Sequence, residues 1–211
     1  MRARPLASRG LALVLVLGGL AVAPDARAQS SAPYDVEQWF AQADCASTDP
    51  VTGLTTEILF AGIIETSHSP GGPPVTTTSI EAIVVVYDAS FHVYFFGSAF
   101  VAADADSVAV APNLTAAMVA DTVSVSDFFD GTTVTLAFDA TFDGTGAVLR
   151  DDTNDQVSTP TTKFGTHFNG SYRDATFTGT FTLDGLAFTP DVVFLSEIAA
   201  VKQGTVSFIK P

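Results

Sequence analysis

Residues 132–142 read Thr-Thr-Val-Thr-Leu-Ala-Phe-Asp-Ala-Thr-Phe, and residues 175–183 read Ala-Thr-Phe-Thr-Gly-Thr-Phe-Thr-Leu. Successive side chains of an extended strand point to opposite sides. In the first stretch Val134, Leu136, Phe138, Ala140 and Phe142 share one face, with Thr133, Thr135, Asp139 and Thr141 on the other. The second repeats the device, setting Ala175, Phe177, Gly179, Phe181 and Leu183 against Thr176, Thr178, Thr180 and Thr182. Both read as strands that bury an apolar face and wet a hydroxylated one.

Working outward, the same alternation places strands near residues 37–46, 54–66, 76–88, 91–100, 107–111, 115–127, 145–150, 163–173 and 201–209. With mergers the expectation is eight to ten strands in all. Trp39, Ala41, Ala43 and Cys45 form the apolar face of the first, where a short helix over residues 34–43 is the competing reading. Asp130-Gly131, Asp143-Gly144, Asn169-Gly170 and Asp184-Gly185 suit hairpin turns. Asp49-Pro50-Val51-Thr52-Gly53 suits a turn, and Ser69-Pro70-Gly71-Gly72-Pro73-Pro74 a loop. Residues 82–100 are apolar on both faces, which predicts a hairpin covered on both sides. Short strands with turn signals between them predict an all-β fold, an antiparallel β-sandwich, with a closed or partly closed β-barrel as the alternative.

Composition narrows the function. The 211 residues are 47% hydrophobic, enough for a core, yet carry 9 Lys+Arg against 23 Asp+Glu. A net charge of −14 argues against a nucleic-acid binder, because neutralising phosphates needs clustered Lys and Arg. At the start, Arg2, Arg4 and Arg9 precede an apolar run from Gly10 to Ala23 and then Ala26-Arg27-Ala28. That order is expected of a secretory signal peptide spanning residues 1–28, followed by a single domain over 29–211. The apolar run is too short for a helix to span a bilayer. Arg2, Arg4, Arg9, Arg27 and Asp25 would leave with the leader, deepening the charge from −14 to −17. The expected location is secreted, extracellular or periplasmic.

The order of features from about Thr76 onward carries a resemblance. Phe142-Asp143-Gly144-Thr145-Gly146 with Arg150, then Phe168-Asn169-Gly170-Ser171-Tyr172-Arg173-Asp174-Ala175, then Phe188-Thr189-Pro190, then Lys202-Gln203-Gly204-Thr205-Val206-Ser207-Phe208-Ile209-Lys210 resemble a group of secreted bacterial all-β proteins with no assigned activity. The resemblance covers about two-thirds of the chain and implies a secreted, all-β domain, with no chemistry attached. Such proteins tend to place a Cys near the turn that here reads Asp88-Ala89-Ser90, so the resemblance leaves Cys45 without a partner.

Candidate chemistry is sparse. His68, His92 and His167 lack metal-ligand spacing and read as ordinary strand and loop residues. No Gly-x-Ser-x-Gly elbow is present, and Cys45 on an apolar face reads as a buried, inert thiol. Asp127 with Asp130, Asp139 with Asp143, and Asp151-Asp152-Thr153-Asn154-Asp155 are the densest acids. They read as solvated turn residues, with a Ca²⁺ loop or a glycosidase carboxylate pair as the functional alternatives. Trp39, Tyr94 and Tyr172 could offer a sugar-stacking patch, and the Thr rows a sugar- or ice-binding face. An outer-membrane barrel would need the opposite orientation, with Thr and Asp lining its lumen. The sequence thus assigns no catalytic, cofactor-binding or metal-ligating residue and no cofactor. It predicts a non-catalytic binding or structural protein of the envelope or extracellular space, its partner a glycan or another envelope component. A secreted carbohydrate-active hydrolase using the turn carboxylates is the alternative.

Overall fold

The computed structural model describes residues 35–69, 71–158 and 162–209, excepting the side chains of 156, 157, 162–164 and 206–209. The expected leader over residues 1–28 and Pro70 lie outside the described residues. Eleven strands follow one another: β1 (Val36–Thr48), β2 (Thr55–Ser67), β3 (Val75–Tyr87), β4 (Val93–Ala102), β5 (Val108–Val110), β6 (Ala116–Asp127), β7 (Thr133–Gly144), β8 (Leu149–Ser158), β9 (Thr162–Leu183), β10 (Leu186–Phe188) and β11 (Val192–Ile209). Every pairing is antiparallel, and residues 34–43 supply no helix among those described.

The strands run β9-β11-β1-β2-β3-β4-β6 through hydrogen bonds, and β7 closes the ring by pairing both β6 and β9. The ring is flattened into two layers. One holds β11, β1, β2, β3 and β4; the other holds β5, β6, β7 and the later half of β9. β9 belongs to both: residues 162–174 pair β11, whereas Ala175 to Leu183 pair β7. The opposite corner is thin, because β4 meets β6 only at Gly97↔Asp127 and Ser98↔Ser126.

Apolar faces of the two layers meet in one core, where Ala41, Ile58, Phe60, Ile80 and Val84 pack with Val119, Val125, Leu136, Phe138, Phe142 and Phe181. Their approach is close: a Cβ built on Gly62 of β2 would lie 2.7–2.8 Å from methyl carbons of Val108 and Val119 in the other layer. Phe60 is the hub, with its ring centroid 5.0 Å from Phe138, 5.6 Å from Phe181, 5.9 Å from Phe177 and 6.1 Å from Phe142. Thr133, Thr135 and Thr141 of β7 and Thr176, Thr178 and Thr180 of β9 face water, Thr141 Oγ1 lying 2.7 Å from Thr178 Oγ1. That is the reverse of the orientation a transmembrane barrel would need.

Several sequence expectations are corrected. Residues 163–173 and 175–183 form one strand, and Asn169-Gly170 lies inside it rather than in a turn. The strand expected at 145–150 is β8, starting at Leu149; the one expected from 201 starts at Val192, and a short unexpected strand, β10, pairs β9. Asp184-Gly185 is a tight hairpin turn, with φ of +48° and +81° at its two central residues. The hairpin over residues 82–100 is half as expected. Ile80, Ala82 and Val84 are buried in the core, but Phe91 is a turn residue at φ +61° and β4 leaves Tyr94, Phe96 and Phe100 exposed.

Candidate functional site

Because β1 to β4 alternate, the layer they form has a second face directed away from the core. Register fixes what stands there. Gln42 of β1 is opposite Ala61 of β2, Ala61 opposite Glu81 of β3, and Glu81 opposite Phe100 of β4. Two rows over, beyond Phe40, Ile63 and Ser79, Gln38 faces Glu65 and Glu65 faces Thr77. This face sinks into a groove of about 780 Å³, within the range of small-molecule sites. Leu59, Ala61, Ile63 and Ile83 form its floor, Phe96, Phe100 and Phe128 stand along the β4 side, and Glu65, Glu81, Gln38 and Gln42 supply polar groups.

Each polar group has a distinct state. Gln38 Nε2 donates to Glu65 Oε2 at 2.7 Å. Gln42 is buried and donates to Glu197 Oε1 of β11 at 2.5 Å. Glu81 differs, because its Oε2 is shut off from solvent and has no hydrogen-bond partner. Burial pushes its carboxyl above the usual carboxylate range. No Lys, Arg or His lines the groove among the described residues. The aromatic wall is wet: Phe100 is 70% exposed and Phe128 60% exposed. Phe96 and Phe128 hold an edge-to-face contact with centroids 4.9 Å apart.

The same face carries a second acidic pair beside a bulge. β11 inserts Phe194 where Asp44↔Leu195 gives way to Cys45↔Val193. The Asp44 carboxyl is pushed up to about 6, first by burial and then by Glu57, while Glu57 accepts from Tyr87 Oη at 3.2 Å. Asp44 is thus less ionised in the folded chain than in the unfolded one. Its ionised form opposes folding in full above pH 6 and not at all below 3.8, the ordinary value for an aspartate. Asp44→Asn is therefore expected to stabilise the fold by about 1–2 kcal/mol at pH 8, discounted for partial exposure. The gain should vanish at pH 3.5 in paired urea melts.

The residues singled out from sequence are dispersed. Asp127 is buried, its carboxylate accepting from the backbone N–H of Phe129 at 2.5 Å and of Phe96 at 3.2 Å; it clamps β4 to the β6–β7 turn. Asp130 accepts from Thr132 within that turn. Asp139 and Asp143 lie on the wet face of β7, four residues apart, hence about 13 Å along a strand and beyond the roughly 5–10 Å of a glycosidase pair. Asp139 lines only a shallow depression of about 360 Å³ with Asp121 and the Thr180 and Thr182 hydroxyls. Asp151, Asp152 and Asp155 are not turn residues: they sit in β8, paired with Gly170, Asn169 and Thr166. Alternation sends Asp151 and Asp155 to one side and Asp152 to the other, where it accepts from Asn169, so they do not converge on a cation.

His92 is exposed, its ring 4.9 Å from that of Tyr94. His68 lies 3.9 Å from Glu37, and His167 is half-buried on β9. No group of three His, Cys, Asp or Glu suited to a metal occurs among the described residues. Cys45 is buried with its thiol pushed up to about 12 by burial, then by Asp44 and Glu57. Trp39 packs against the main core and Tyr172 against the Phe40, Ala61, Ile63 and Ala199 cluster, while Tyr94 is exposed and donates to Asp88. The three rings form no common patch. No helix among the described residues is long and apolar enough to cross a membrane. Compared with family models, curated proteins and solved structures, the chain matches none.

Sequence reasoning missed the groove because Glu65 and Glu81 read as isolated polar interruptions of apolar strands. The available signal was the surplus of apolar residues on both faces of 82–100, which marks a second face needing a cover or a guest.

Proposed function

We propose that this is an exported, non-catalytic binding domain that holds its ligand in the groove on the outer face of β1 to β4. The observation that carries the reading is the groove itself: a mostly apolar trough lined by Glu81 and Glu65 with no cationic side chain in its lining among the described residues, on a fold whose interior is filled by packed side chains. Export is supported by the basic, apolar and small-residue order of residues 1–28. Support for binding without catalysis comes from the carboxylates expected to act as a pair: Asp127 clamps a turn, and Asp139 and Asp143 stand apart on a wet face.

Thermal-shift screening of neutral oligosaccharides and charged and neutral amphiphiles tests this reading. At least one class should raise the melting temperature of the native chain and leave Ser79→Trp, which fills the groove floor, unchanged. Turnover of a glycan that disappears in Asp139→Asn or Asp143→Asn would overturn it in favour of a hydrolase.

A further inference from the structure

We propose that the groove selects a hydrophobic organic cation, an amine whose ammonium group meets Glu81 and whose apolar body lies along Leu59, Ile63 and Ile83. The inference rests on the groove being a ligand site and names the ligand's chemistry. Three observations carry it.

Glu81 is flanked across the sheet by Ala61 and Phe100, whose side chains offer no donor. Glu81 lines the groove, and its Oε2 has no hydrogen-bond partner. An ammonium has three donors and the opposite charge, so it pairs with the Glu81 carboxylate from the groove side.

The charge around the groove is of one sign. Glu65 is the second carboxylate in the lining, and no cationic side chain answers either among the described residues. A negative wall in a low-dielectric trough attracts cations and rejects carboxylates, sulfates and phosphates.

The walls favour a cation with an apolar body over a sugar. Phe96, Phe100 and Phe128 line the β4 side, and an ammonium near a ring face is attracted by the ring's quadrupole. The lining is more apolar than polar, Leu59, Ile63 and Ile83 standing beside the hydroxyls of Thr77, Ser79 and Ser98, so an apolar body gains more there than a fully hydroxylated one.

Titration calorimetry of the chain with dodecylammonium, dodecyl maltoside and dodecyl sulfate, each below its micelle concentration, tests the proposal with one apolar tail and three head groups. Dodecylammonium should bind saturably and about tenfold more tightly than the maltoside, with the sulfate weakest. Glu81→Gln, which keeps the shape and relieves a buried charge, should abolish that preference while leaving the maltoside affinity unchanged. Equal binding of ammonium and maltoside, both lost in Ser79→Trp, would overturn the choice of ligand and leave the groove standing as a site. No binding of any of the three would overturn the proposal and weigh against the groove as a site. A dimer in solution that dissociates in Phe100→Asp would place a second copy on this face and overturn it as well.

Discussion

Phe60→Ala is expected to lower stability by about 3–5 kcal/mol, the range for removing a fully buried aromatic ring. Phe60 is 1% exposed, and four other phenylalanine rings contact it, all from the opposite layer. Deleting it leaves a void that those rings cannot fill, because each is held by its own strand register: Phe138 opposite Phe181, and Phe142 opposite Phe177. In a chain of this size the melting temperature should fall by roughly 6–20 °C. Phe60→Leu keeps most of the volume and should cost well under half as much. A loss below about 1 kcal/mol for the alanine variant in equilibrium urea unfolding would mean that the layers do not meet through this ring.

Gly97→Val is the second large effect, and its origin is backbone contact. At the thin corner between β4 and β6, a Cβ on Gly97 would lie 2.5 Å from the Ser126 carbonyl oxygen and 2.9 Å from a ring carbon of Phe95. Valine suits strands in general, yet here it must push the two strands apart where only two residue pairs join them. The displacement also pulls Phe96 N–H from the Asp127 carboxylate and Phe128 N–H from the Phe96 carbonyl. A loss of about 2–4 kcal/mol is expected, with amide hydrogen exchange accelerated first at residues 96–98 and 126–129. Gly131→Ala provides the contrast. Nothing lies within 4 Å of its missing Cβ, and only its φ of +75° resists substitution, so it should cost roughly 1 kcal/mol.

What could be read from the sequence follows from how local its cause is. The Thr/Phe alternation of β7 and β9 states its own orientation, since each residue's face is fixed by its neighbours two positions away. The buried thiol of Cys45 was legible for the same reason. The turn at Asp184-Gly185 was legible because its backbone needs positive φ. Asn169-Gly170 carries the same dipeptide chemistry but is overridden: β11 and β8 pair β9 on its two edges through this point, Gly170 facing Val201 and Asp151. Asp151 to Asp155 were misplaced because polarity alone does not separate a loop from an exposed edge strand. The groove was illegible because its parts come from four strands, and Glu81 becomes distinctive only when Ala61 and Phe100 are set beside it.

The seating of β11 has a kinetic consequence. Val36 pairs with Gln203 and Ala46 with Val192, so one edge of β1 stays bare until the last strand has been made. Loop closure over nearly the whole chain must precede that pairing, which places this topology among the slow folders. During the wait the β1–β2 hairpin presents an open row of amides and carbonyls, the template on which a neighbouring chain could add its own strand. Yield on refolding should therefore fall as protein concentration rises, through intermolecular capture of that edge in the interval before β11 arrives.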